Sequence, residues 1–204
     1  MLIQTIIDTV IQIILFSAIP LFWWLFSARK KERFLLWIGL TKPKFNSRIK
    51  SIVVSLISFF LLLSSGLFLL YSFEDKSLLA NAKYAGLGIS GVPPILIYSV
   101  FQTGLCEEIL FRGFLNKRFS IKFGNIFGNI AQATLFGLLH GVLLFGNISA
   151  ITVIIAIIFS SIAGWFMGYL NENLGNGSII PSWIIHSLIN ISSSFMFLFG
   201  VIAV

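Results

Sequence analysis

The sequence predicts an all-α fold: a polytopic transmembrane helical bundle of about six spans with short interfacial helices. Three observations predict it. Hydrophobic residues make up 57% of the 204 and charged residues 10%, whereas a soluble domain is about a quarter charged. Apolar runs of about 20 residues, the length that crosses a bilayer core, recur along the chain. Basic residues gather beside those runs, with eight of the fourteen Lys and Arg between Arg29 and Lys50. The expectation is one integral membrane domain over 1–204.

The first span covers about 4–28 and contains LFWWLF. It lacks a basic leading region and a small-residue cleavage site, and it ends in ARKKERF, so it reads as an anchor rather than a signal peptide. FLLWIGL, 34–40, is too short to cross and is expected to lie in the interface or to fold back as a short re-entrant piece. Further spans are expected at about 51–73, 93–115, within 124–146, at 149–171 and at 179–203.

Loop charge sets the orientation. The 29–50 loop has eight bases and one acid, and the 116–123 loop has Lys117, Arg118 and Lys122. The intervening 74–92 loop is balanced, and later loops carry no Lys or Arg. Loops 29–50 and 116–123 are therefore expected in the cytoplasm, with both termini outside. A basic cluster next to apolar spans is a topology signal, not a nucleic-acid footprint, so no nucleic-acid partner is expected. Glycine pairs four apart (Gly124/Gly128, Gly137/Gly141, Gly164/Gly168) predict close helix contacts. The lone Cys106 can make no internal disulfide and no cysteine-based metal site. Beside two carboxylates it reads as a small buried residue rather than a nucleophile.

The informative residues are the ionisable groups that lipid should reject. Glu107 and Glu108 are the acids well inside a span, and His140 and His186 are the two histidines of the chain. Glu108 and Arg112 are i and i+4, with the acid first, the favourable order. Glu107 points about 100° away around an α-helix, so Arg112 cannot serve both carboxylates equally. Phe136/His140 and His186/Asn190 repeat the four-residue spacing on two other spans. Singly, each has a bland reading: a structural ion pair, a satisfied core histidine, or an inter-helix hydrogen bond of roughly 0.6 kcal/mol. Together they put every well-buried ionisable group on three spans able to converge. Counted at about 1.5 Å per residue, Glu107 and His186 lie about 12 and 10 Å from the cytoplasmic end. His140 lies about 21 Å in if its span begins at Ile126, which implies a tilted fourth span or an interfacial entry segment over 121–130.

Written out, the stretches are EEILFR (107–112), FGLLH (136–140) and HSLIN (186–190). They match EExxxR, FxxxH and HxxxN in order, with no position substituted. The chain thereby resembles the CAAX-protease and bacteriocin-processing family, also called Abi, over roughly residues 93–195. The resemblance implies an intramembrane endopeptidase. Glu107 would be the catalytic carboxylate, acting with His140 to activate water; His186 and Asn190 would stabilise the oxyanion; Glu108, Arg112 and Phe136 would support the site.

The chemistry is consistent with those roles, since amide hydrolysis needs a base, an acid for the leaving amine and oxyanion donors. Glu107, His140 and His186 are also a possible zinc set, but the helical HExxH signature is absent. The reading therefore favours catalysis without a cofactor, with zinc as the alternative. The expected partners are a peptide or protein substrate and membrane lipid, and the family's distribution points to a bacterial cell membrane. Two other functions compete: a non-catalytic bacteriocin-immunity factor or membrane scaffold of the same fold, and a transporter or channel using Glu and His as a proton relay. The second needs a polar path through both leaflets, and the outer halves of the spans look too apolar for one.

Overall fold

On the first and third helices most large apolar side chains turn outward, and the buried residues are mostly small. A computed structural model describes residues 1–202. Helix α1 (Leu2–Ser27) is followed by the single turn α2 (Phe34–Trp37) and by α3 (Arg48–Ser72). Short 3-10 turns lead into a 36-residue helical run, Gly88–Phe123. That run begins as α4 (Val92–Ile97), opens into π-helical segments Tyr98–Leu105 and Glu108–Asn116, and closes as α5 (Lys117–Phe123). It is called the long helix below. Then come α6 (Asn125–Leu144), α7 (Ala150–Tyr169) with a π-helical end at Leu170–Leu174, and α8 (Ile180–Leu198). No strand forms among the described residues.

Among the described residues, five helices are long and apolar enough to cross a membrane: α1, α3, the long helix, α6, and α7 with its π-helical end. The sixth expected span is α8. Its 19 residues reach about 28 Å, enough for the core. His186, Asn190 and its serines are what lower its hydropathy.

Lipid tails are as apolar as Leu, so burying a large side chain between membrane helices gains little, and close approach of backbones gains more. Accordingly α3 buries Ser51, Ser58 and Ser65, one every seven residues, while Ile49, Ile52 and Phe60 stay exposed. α7 packs against both α3 and α6, and buries Ala156, Ser160, Ala163, Gly164 and Gly168. A Cβ on Gly137 of α6 would stand 2.5 Å from the Ile157 carbonyl of α7.

Three sequence expectations change. The 116–123 segment is not a loop: it continues the long helix as α5. The chain reverses at Gly124, whose φ of +89° only glycine adopts readily. Gly124 is thus a turn residue rather than a packing residue, and a Cβ there would meet nothing within 4 Å. The depth mismatch for His140 came from counting from the wrong origin. The hairpin turn lies beyond the level of Lys117, whose Nζ reaches Glu172 Oε1 (2.7 Å) in the π-helical end of α7 and the Gly177 carbonyl (2.7 Å) just before α8. From Lys117, Glu107 lies about 15 Å in. From Gly124, Glu108 is sixteen residues back and His140 sixteen forward. The two arms are therefore in register.

The short apolar piece 34–40 folds back beneath this hairpin. Trp37 and Ile38 are buried with Ile109, Phe114 and Ile179. Ile179 N donates to the Gly39 carbonyl (2.9 Å) and Ser178 Oγ to the Thr41 carbonyl (2.5 Å). This strap closes the end of the bundle from which the long helix and α8 rise.

Candidate active site

The π-helical segments of the chain carry four polar residues of the site: Thr103 in the first, Glu108 and Arg112 in the second, Asn171 at the end of α7. A π-helix closes its bonds five residues apart, so residues four and five apart share a face, and such segments concentrate at functional sites. In the long helix this keeps Glu108, Arg112 and Asn116 on one buried line, each 0% exposed.

Glu108 is fully satisfied. Its Oε1 accepts from Arg112 Nη1 at 3.0 Å and from His186 Nδ1 at 3.2 Å, and its Oε2 accepts a short hydrogen bond from Ser182 Oγ. A carboxylate buried in the membrane interior is tolerable only with such partners. Arg112 supplies the counter-charge, and its guanidinium carbon lies 4.2 Å from the centre of the Phe136 ring.

Glu107 differs. It keeps some exposure, 16% of its side chain, and its Oε2 stands 3.7 Å from His186 Nε2 with no hydrogen-bond partner. His186 therefore lies between the two carboxylates. Its Nδ1 faces an acceptor that has no proton to give, so Nδ1 carries the hydrogen and Nε2 is the nitrogen turned to Glu107.

His140 is fixed by its own helix. Its Nδ1 donates to the Phe136 carbonyl at 2.9 Å, since a carbonyl only accepts, and Nε2 is left as an acceptor. Its ring lies 4.5 Å from that of Phe136, and the ring of His186 lies 6.0 Å from the same residue. Phe136, 0% exposed, is thus the wall around which Arg112, His140 and His186 are arranged. Asn190, one turn beyond His186 on α8, donates Nδ2 to Thr103 Oγ1 at 2.7 Å, using one of its two amide hydrogens.

All seven residues singled out from the sequence lie on the long helix, α6 and α8. Direct contacts join Glu107, Glu108, Arg112 and His186. His140 packs on Phe136, the ring that also faces Arg112 and His186, and makes no ion pair with either carboxylate; Asn190 is tied to the long helix at Thr103. Two histidines and a glutamate are chemically apt for zinc, but among the described residues no three His, Cys, Asp or Glu side chains are gathered to hold a metal ion. The donor set does not fit a metal as placed. Cys106 is buried, with its Sγ toward the Phe101 carbonyl.

Sequence reasoning missed Ser182, Asn171 and Thr103. Attention to ionisable groups passed over them, although Ser182, His186 and Asn190 follow one another at four-residue intervals. That stripe was the available signal.

A family model described as "Type II CAAX prenyl endopeptidase Rce1-like" matches residues 89–192, which include all three motifs. No curated protein and no solved structure matches the chain.

Proposed function

Because the chain belongs to the Rce1-like family of type II CAAX prenyl endopeptidases, a protease family of the membrane, we propose that it is an intramembrane endopeptidase working by glutamate-activated water without a metal. Glu107 is the base. Its Oε2 has no hydrogen-bond partner of its own, whereas Glu108 is taken up by Arg112, Ser182 and His186. This division between a spent and a free carboxylate is the observation that carries the reading.

The steps follow from it. A water held by Glu107 and by the free Nε2 of His140 attacks the scissile carbonyl carbon, and its proton passes to Glu107. His186 Nε2, 3.7 Å away and without a hydrogen at rest, takes that proton on from Glu107 and so becomes an Nε2–H donor. The oxyanion of the tetrahedral intermediate is met by His186 Nε2–H and by the second amide hydrogen of Asn190. The C–N bond then breaks, the proton moves to the leaving nitrogen, and a carboxylate and an amine are released. General-base help is worth about 10²–10⁴-fold, and one oxyanion donor about 2.7–4 kcal/mol.

The substrate is an extended peptide or protein segment entering from the cytoplasmic half of the bilayer. The basic 29–50 segment and Lys117, Arg118 and Lys122 mark that side by the positive-inside rule. The second reading, a non-catalytic immunity or scaffold protein of the same fold, is separated by experiment. The purified protein in detergent micelles is offered a farnesylated CAAX peptide and a library of unprenylated peptides, and products are read by mass spectrometry. Wild type is expected to cleave with or without chelator, and Glu107→Gln and His140→Ala are expected not to. Cleavage by all three removes the catalytic assignment, and loss on chelation alone assigns a metal mechanism. Silence of the wild type across all peptides favours the scaffold.

A further inference from the structure

The carboxylate that orients His186 is itself held from behind. Ser182 Oγ donates to Glu108 Oε2, and Asn171 Nδ2 donates to Ser182 Oγ at 2.6 Å. Asn171 Oδ1 in turn accepts from Ser182 N at 3.3 Å, so the two residues grip each other twice. Asn171, Ser182 and Glu108 are each 0% exposed. The Ser182 hydroxyl has one proton and two acceptors in reach, Glu108 and the Ile179 carbonyl at 3.1 Å. The charged acceptor makes the stronger bond, so the proton goes to Glu108.

Direction follows from the donors. Asn171 gives to Ser182, Ser182 gives to Glu108, and Glu108 receives from His186 Nδ1. Every hydrogen in the chain runs toward the carboxylate. Glu108, an ionised acceptor, only accepts from His186; Ser182, by holding Oε2, aims Oε1 at Nδ1, which fixes the hydrogen there and turns Nε2 to Glu107. We infer that Ser182 and Asn171 are positioning residues of this site: a buried relay from the π-helical end of α7 that sets the tautomer and aim of His186 through Glu108. The inference rests on the reading of Glu107 and His186 given above for its consequence in catalysis, but the geometry it asserts is independent of any substrate.

The test uses the full-length protein in micelles with ring-¹⁵N histidine. The chain has two histidines, so four ring nitrogens are observed, and His140→Gln assigns them. In the wild type, His186 is expected to give a protonated-type Nδ1 and an unprotonated-type Nε2. Ser182→Ala is expected to draw both His186 resonances toward a tautomer-averaged position and to leave those of His140 in place. Ser182→Thr, which keeps the hydroxyl, restores them, and Asn171→Leu gives a smaller shift in the same direction. Where a cleaved peptide is in hand, Ser182→Ala lowers kcat about tenfold or more with KM little changed, the loss expected for a hydrogen bond to a charged group, and Ser182→Thr recovers it.

Unchanged His186 resonances in a folded Ser182→Ala protein overturn the relay. Should that variant not fold, Ser182→Cys keeps the size with only a weak donor and is read in the same way. Failure of the endopeptidase reading appears separately, as an inactive wild type whose His186 resonances still respond to Ser182.

Discussion

The guanidinium of Arg112 sits 4.2 Å from the centre of the Phe136 ring, and the two residues lie twelve positions on either side of Gly124. The hairpin thus locks its two arms by a cation on an aromatic face. The same register brings Glu108 and His140, sixteen positions either side, to one level. Phe136→Leu should retain most of the apolar contact and lose the ring, whose attraction for a desolvated cation is worth about 2 kcal/mol. The expected result is a folded protein with cleavage reduced about tenfold. Phe136→Ala should open a cavity costing about 3–5 kcal/mol. Thermal unfolding in micelles, read beside kcat, separates the two, and equal losses of stability would contradict the assigned role.

The adjacent glutamates should behave oppositely when each is made an amide. Glu108→Gln leaves Arg112 buried without a counter-charge, and breaking a buried pair costs about 3–5 kcal/mol. For a chain of this size that is a fall in Tm on the order of 10 °C. Glu107→Gln removes no ion pair with Arg112, so Tm should move by no more than about 2 °C while kcat falls about 100-fold or more. The measurements are calorimetric or fluorescence unfolding and a peptide-cleavage rate. A Glu108→Gln protein as stable as wild type would mean that Arg112 has another partner.

Much of this was legible in the sequence because lipid simplifies the reading. Hydropathy locates α1, α3, α6 and α7, and the rarity of charge inside spans singles out Glu107, Glu108, His140 and His186. What escaped has physical causes. The basic residues Lys117, Arg118 and Lys122 look like a loop to a hydropathy count, yet they lie in helix α5, where Lys117 pairs with Glu172 at 2.7 Å. The pitch of the long helix was also hidden. Its π-helical turns over Tyr98–Leu105 and Glu108–Asn116 leave no mark in residue spacing, and a wheel that separates Glu107 from Glu108 by about 100° does not show that one imidazole reaches both through its two nitrogens. Neutral donors such as Ser182 and Thr103 carry no charge penalty and left no mark in composition.

Glycines in the α6–α7 contact should differ according to what faces them. A Cβ at Gly137 meets the Ile157 backbone carbonyl at 2.5 Å, which cannot move without parting the helices. A Cβ at Gly141 meets Ile157 Cδ1 at 2.5 Å, the end of a flexible side chain. Gly137→Ala should therefore cost about 1–3 kcal/mol, the usual range for overpacking, and Gly141→Ala less. Thermal unfolding of the two variants checks the order, and the reverse order would mean that α6 and α7 cross elsewhere.

On the proposed mechanism, the orientation of the bundle decides from which compartment a substrate would reach Glu107. Lys31 and Lys122 are exposed beside α1 and at the end of α5, and Asp75 is exposed in the connector between α3 and the long helix. The wild-type thiol, Cys106, is fully buried and should not react. Lys31→Cys, Lys122→Cys and Asp75→Cys can thus be read one at a time with a membrane-impermeant maleimide. By the positive-inside rule, Asp75→Cys should label in intact cells, and Lys31→Cys and Lys122→Cys only in inverted vesicles. Joining 116–123 to the long helix leaves this expectation unchanged, because Lys122 still lies at the hairpin turn, on the same side as the strap 34–40. Labelling of Lys122→Cys from outside would turn the site toward the opposite leaflet, and the substrate would then have to be an exported segment.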